Sequence, residues 1–92
     1  MKNKFAYLFE SGDFQVLVKK SECEDTDNPK ISLITTFDDV ELDLGFTFKD
    51  GSYEKRDLMF DDKDKMKTVS LKYLEVLNDS ESLDDFISKI SS

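Results

Sequence analysis

Histidine and tryptophan are absent from this 92-residue sequence, cysteine and proline occur once each, and glycine occurs three times. Each shortage excludes something. Without histidine the commonest general base and a frequent zinc ligand are both missing, and one cysteine can form neither an internal disulfide nor a thiolate metal cluster. Cys23 as a nucleophile needs a neighbouring base, whereas Glu22, Glu24 and Asp25 are expected to raise the pKa of its thiol. An ordinary loop cysteine is the stronger reading. So few glycines leave no phosphate-cradling loop, and so small a chain has little room to enclose a sugar between paired carboxylates. Asp25-Thr26-Asp27-Asn28 and Asp61-Asp62-Lys63-Asp64 both lack the glycine and glutamate spacing of a calcium-binding EF-hand loop, and helix capping accounts better for the second. The sequence therefore predicts no catalytic residue, no metal site and no cofactor, and it reads as a non-enzyme.

Long apolar runs are missing as well. With no transmembrane candidate and no signal-peptide pattern, a soluble cytoplasmic protein is expected, and a lone cysteine suits a reducing compartment. The hydrophobic fraction of 38% is low and the charged fraction of 37% is high, a balance that by itself permits disorder. Eight phenylalanines and three tyrosines argue the other way, because they supply core area that disordered chains lack. A single acidic domain over residues 1–92 is expected.

What is abundant is negative charge. Twenty-one acids against thirteen bases give a net charge of −8 and a pI near 4.4. Nucleic acid and anionic membranes repel such a chain, so neither is expected as a direct partner, and its natural partners are basic.

The clearest periodicity runs from Asp38 to Phe60. Val40, Leu42, Leu44, Phe46 and Phe48 alternate with Glu41, Asp43, Gly45, Thr47 and Lys49, which is a strand with one dry and one wet face. Lys49-Asp50-Gly51 then reads as a turn, and Tyr53 to Phe60 as the returning strand. A two-residue turn would place Asp57 on the apolar face. A three-residue loop with Gly51 in the left-handed position instead sets Leu58 opposite Leu42 and Phe60 opposite Val40, leaving Glu54 and Arg56 facing inward near the turn. In this register Glu41, Asp43 and Asp57 share the wet face, and Asp38, Asp39, Asp61 and Asp62 continue the ridge at its far end.

Elsewhere, Lys4 to Glu10 and Phe14 to Lys20 read as a hairpin joined by Ser11-Gly12-Asp13. Ser21 to Pro29 reads as a solvated loop, and Ile31 to Phe37 as a third strand with a tight Asp38-Asp39 connection. Met66, Val69, Tyr73, Leu74 and Leu77 recur at helical spacing after the acids at 61–64, predicting a helix to about Asn78. A strand through Val69, Leu71 and Tyr73 is the rival. Ser82-Leu83-Asp84-Asp85 outlines a capping box for a short last helix with Leu83, Phe86, Ile87 and Ile90 on one face and Lys89 near its end. The expected fold is α+β, an antiparallel sheet of about five strands with helices mainly in the C-terminal third.

The acids fall into four clusters: Glu22, Glu24, Asp25 and Asp27; Asp38, Asp39, Glu41 and Asp43; Asp57, Asp61, Asp62 and Asp64; and Asp79, Glu81, Asp84 and Asp85. A solvated surface is the plainest explanation of such charge, but the bases are too few to neutralise it, and uncompensated like charge destabilises a compact chain. Two rows of fixed carboxylates on adjacent strands approximate the phosphate rows of duplex DNA, which carries about one charge per 1.7 Å of axis. In small size, low glycine, abundance of lysine and aspartate, acidity and lack of catalytic residues, the whole chain resembles the bacteriophage DNA-mimic inhibitors, most of all the Arn anti-restriction proteins of T-even phages. The resemblance implies inhibition of the host restriction endonuclease McrBC, engagement of the nucleoid protein H-NS, and action as a homodimer. The expected function is thus a DNA mimic that occupies the DNA-binding site of a host restriction endonuclease or nucleoid protein. The alternative is an acidic adaptor that binds a basic protein without imitating DNA. A dimer is also expected on size, since one domain of about 30 Å spans only about nine base pairs.

Overall fold

The computed structural model describes residues 6–91. Lys4 and Phe5, which the expected first strand includes, lie outside them. The chain runs β1 (Ala6–Ser11), β2 (Phe14–Glu22), β3 (Pro29–Phe37), β4 (Val40–Asp43), β5 (Phe46–Thr47), α1 (Tyr53–Asp61), α2 (Lys63–Asn78) and α3 (Leu83–Ile90). The five strands form one antiparallel sheet in the order β1-β2-β3-β4, with β5 also paired to β3. The α+β expectation holds.

Period-two alternation decides the faces of this sheet. Tyr7, Phe9, Val16, Val18, Ile31, Leu33 and Phe37 are buried on one face, under the helices, where they meet Phe60 of α1, Met66, Leu74 and Leu77 of α2, and Phe86 of α3. Leu42, Leu44, Phe46 and Phe48 pack half-buried against the same core. A fully buried side chain of this size contributes about 1.5–3 kcal/mol. The other face is uncovered and presents Leu8, Leu17 and Ile34 between polar rows; Leu8 is 55% and Leu17 38% exposed.

Both hairpin turns are two residues long. Ser11 pairs with Phe14 around Gly12-Asp13, with Gly12 at φ 62°, and Phe37 pairs with Val40 around Asp38-Asp39, at φ 52° and 64°. Positive φ at the first central position of one turn and at both of the other matches the right-handed strand twist, and aspartate tolerates it better than most side chains. β4 and β5 keep one register on β3, so the long strand read from Val40 onward is present. Its ladder is interrupted where the Asp43 side chain takes the Leu33 N–H at 3.3 Å and the Gly45 N–H at 3.0 Å. Gly45 is required there, since a Cβ would lie 1.9 Å from the Ile31 carbonyl oxygen.

The strand expected from Tyr53 to Phe60 is instead α1. Asp50 accepts the Ser52 N–H at 3.0 Å, and Ser52 then caps the helix by accepting the Lys55 N–H at 3.1 Å. Gly51 has the left-handed φ of 73° expected of it, yet it leads the chain off the sheet rather than back along it. The alternation through Leu58 and Phe60 was misleading: Leu58 is 67% exposed, and Arg56 and Phe60, one helical turn apart, are the buried pair. Helices therefore begin at residue 53, and the fifth strand is β5. The helical reading of the segment around Met66 to Asn78 holds over its rival, with Met66, Leu74 and Leu77 buried at helical spacing. No helix of the described residues is long and apolar enough to cross a membrane.

The β2–β3 ladder is shorter than its strands. It runs from Glu22–Pro29 to Leu17–Ile34 and stops, although β2 continues back to Phe14 and β3 on to Phe37. Beyond that point β2 pairs only with β1 and β3 only with β4, so the sheet divides into two hairpins at this end.

Candidate functional site

Antiparallel order puts the β1–β2 and β3–β4 turns at the same end of the sheet. The helices close on that end too. Asn78, the last residue of α2, donates to the Ser11 carbonyl at 2.9 Å and accepts the Asp13 N–H at 3.4 Å, and Asp38 accepts the Leu83 N–H at the start of α3 at 3.3 Å. Three chain segments, 10–15, 35–41 and 78–85, are gathered in this way. They bring Glu10, Asp13, Asp38, Asp39, Glu41, Asp79, Glu81, Asp84 and Asp85 and not one lysine or arginine. Lys89 reaches in from the last turn of α3, 3.5 Å from Asp79 and 3.2 Å from Asp85. The carboxyl of Asp85 is held below its ordinary value first by the Glu81 N–H and then by Lys89.

Four of the other acids are paired with bases. Lys20 lies 3.8 Å from Asp57, Lys30 2.8 Å from Asp43, Lys55 2.7 Å from Asp50, and the buried Arg56 3.4 Å from Glu22 and 3.0 Å from Asp57. These pairs lie at and around the far end of the sheet, whereas the divided end gathers nine carboxylates with Lys89 as the one recorded ion-pairing base.

The expected ridge of Glu41, Asp43, Asp57, Asp38, Asp39, Asp61 and Asp62 is therefore broken up. Asp38, Asp39 and Glu41 stay together and exposed at the acidic end. Asp43 is on the uncovered face with Glu41, but its charge is used internally. It accepts Ser32 Oγ at 2.9 Å besides Lys30 and the two backbone N–H groups. Burial alone would raise this carboxyl, and the bonds from Lys30, Gly45 and Ser32 outweigh it and hold the pKa below its ordinary value. Asp57 rides on α1, across the sheet from Glu41 and Asp43, because α1 is a helix and packs on the covered face. Asp61 ends α1, and Asp62 caps α2 by accepting the Lys65 N–H at 3.2 Å. Both lie near Tyr7, whose phenol pKa is raised first by burial and then by these two charges. Glu10, Asp13, Asp79, Glu81, Asp84 and Asp85 complete the acidic end and were not singled out for it, since their meeting depends on contacts between residues 40 and more positions apart.

Cys23 departs from expectation in one respect. The Thr26 side chain and the backbone of Asp25 and Thr26 hydrogen-bond its sulfur and lower the thiol pKa, against the opposing charge of Asp25. No group of three or more histidine, cysteine, aspartate or glutamate side chains among the described residues is placed to hold a metal ion.

No family model matches the chain, and neither a curated protein nor a solved structure matches it.

Proposed function

We propose that the protein is a cytoplasmic, non-enzymatic binding protein whose acidic end occupies the nucleic-acid-binding cleft of a basic partner, acting as a DNA mimic. The observation that supports this reading is the acidic end itself: nine carboxylates from three chain segments that contain no lysine or arginine. Less the Lys89 charge paired with Asp79 and Asp85, the net eight charges correspond to about 14 Å of duplex at one charge per 1.7 Å, or about four base pairs. A single copy thus imitates a short contact, and a homodimer doubles it. The resemblance to the anti-restriction proteins makes a McrBC-type endonuclease and H-NS the first partners to try. In the experiment, each is bound to labelled duplex DNA and titrated with this protein at several salt concentrations. A mimic displaces the DNA, and its apparent affinity falls steeply as salt rises. Retention of DNA by both proteins would remove these two targets, and binding that leaves DNA in place would favour the adaptor reading.

The adaptor reading has its own support in Leu8, Leu17 and Ile34 on the uncovered face. This apolar strip suits a protein surface better than it suits the imitation of a phosphate backbone.

A further inference from the structure

From the divided sheet we infer that the groove between the diverging ends of β2 and β3 seats an arginine side chain of the partner. This rests on the reading of the acidic end as a binding surface for a basic protein, and it names the group that is recognised there.

The groove measures about 280 Å³. That is below the roughly 300–1,000 Å³ of pockets for drug-sized ligands and suits one long side chain. Its walls supply two kinds of partner. The first is backbone. Leu44 donates to the Leu33 carbonyl at 2.8 Å, so Leu33 addresses β4. By alternation Ile34 and Thr36 then address β2. Ile34 is paired with Leu17, but Thr36 and its register partner Gln15 lie beyond the end of the ladder, and their main-chain groups face the gap without forming the next rung. The second is charge and apolar surface. Asp13 lines the groove and, among the described residues, no base does, while Leu8 and Leu17 give it an apolar floor. The Phe14 and Phe37 rings, edge to face at 5.3 Å, close the split on the helix side.

An arginine fits this set better than a lysine. Its aliphatic stem covers Leu8 and Leu17, and its planar fork of five N–H donors reaches carbonyls and a carboxylate arranged around a slot. A lysine offers three donors at one point and a more strongly held hydration shell.

The test titrates the isotope-labelled protein with acetyl-Gly-Arg-Gly-amide and with its lysine counterpart, following backbone amide resonances. Saturable shifts at Gln15, Leu17 and Thr36 are expected, with the arginine peptide at least about tenfold tighter. Asp13→Asn should weaken the arginine peptide about tenfold, as expected for loss of a charge-assisted hydrogen bond. Equal shifts with both peptides spread over Asp39, Glu41 and Asp84 would overturn the groove while leaving the acidic-end reading in place. An arginine affinity unchanged in Asp13→Asn would also overturn it. Absence of any shift with either peptide, together with no displacement of DNA from a basic partner, would remove both readings at once.

Discussion

Asp38 Oδ2 accepts the backbone N–H of Leu83 at 3.3 Å, so the β3–β4 turn satisfies a donor in the first turn of α3. The β1–β2 turn is held by a different helix, through Asn78 at the end of α2. The two hairpins are thus anchored separately, and the ladder between them is the one that opens.

If Asp38 serves as that acceptor, its replacements should separate charge from geometry. Asp38→Asn keeps an acceptor and tolerates the φ of 52°, so stability should change by less than about 0.5 kcal/mol. Asp38→Ala loses both and should cost about 1–2 kcal/mol. Urea denaturation of the two variants checks this, and equal stabilities would count against the contact.

Asp43 should matter for stability more than for binding. Asp43→Ala strands the Leu33 and Gly45 N–H groups and Lys30, a loss of about 1–3 kcal/mol. Because its folded carboxyl is held below the ordinary value of 3.8, its contribution is present above that value and disappears as pH falls through the lower, folded one. The stability gap between the native protein and Asp43→Asn should accordingly narrow below about pH 4. Denaturation midpoints measured from pH 7 to pH 2 test the trend, and a gap that widens on acidification would contradict it.

The helical state of α1 makes opposite claims for two neighbours. Leu58 points to solvent, and Leu58→Ser should change stability by no more than about 0.5 kcal/mol. Phe60 is fully buried against Tyr7 at a ring separation of 4.8 Å, and Phe60→Ala should cost about 3–5 kcal/mol. A strand with Leu58 facing the core would instead give two large losses.

For the proposed binding surface, amides at Asp39, Glu41 and Asp84 should weaken partner affinity by at least about 1.5 kcal/mol for each charge that meets a desolvated base. Amides at Glu24, Asp25 and Asp64 change the net charge equally but lie away from the divided end, and should act only through long-range attraction. Calorimetric titration at moderate salt compares the two triples. Equal losses would show that net charge alone matters.

Much of the architecture could be read from local pattern. Tyr7 and Phe9, Val16 and Val18, and Leu42 to Phe48 alternate because a strand with one dry face must do so. The Met66, Leu74 and Leu77 spacing declares a helix because no other element puts them on one side. Composition alone set the sign of the charge and, with no histidine and one cysteine, left no histidine ligand or base and no pair of thiolates. Tyr53 to Phe60 misled because an arginine occupies a buried helical position there, and Arg56 is sustained by the Ser21 carbonyl 35 residues away, a bond at 2.8 Å with no local signature. The acidic surface was beyond local reading for the same reason. Whether a carboxylate is free or consumed depends on what the fold sets beside it. Asp43 meets Lys30 and Asp57 meets Arg56, while Asp13, Asp38 and Asp84 converge through hairpin-to-helix contacts that only the tertiary structure decides.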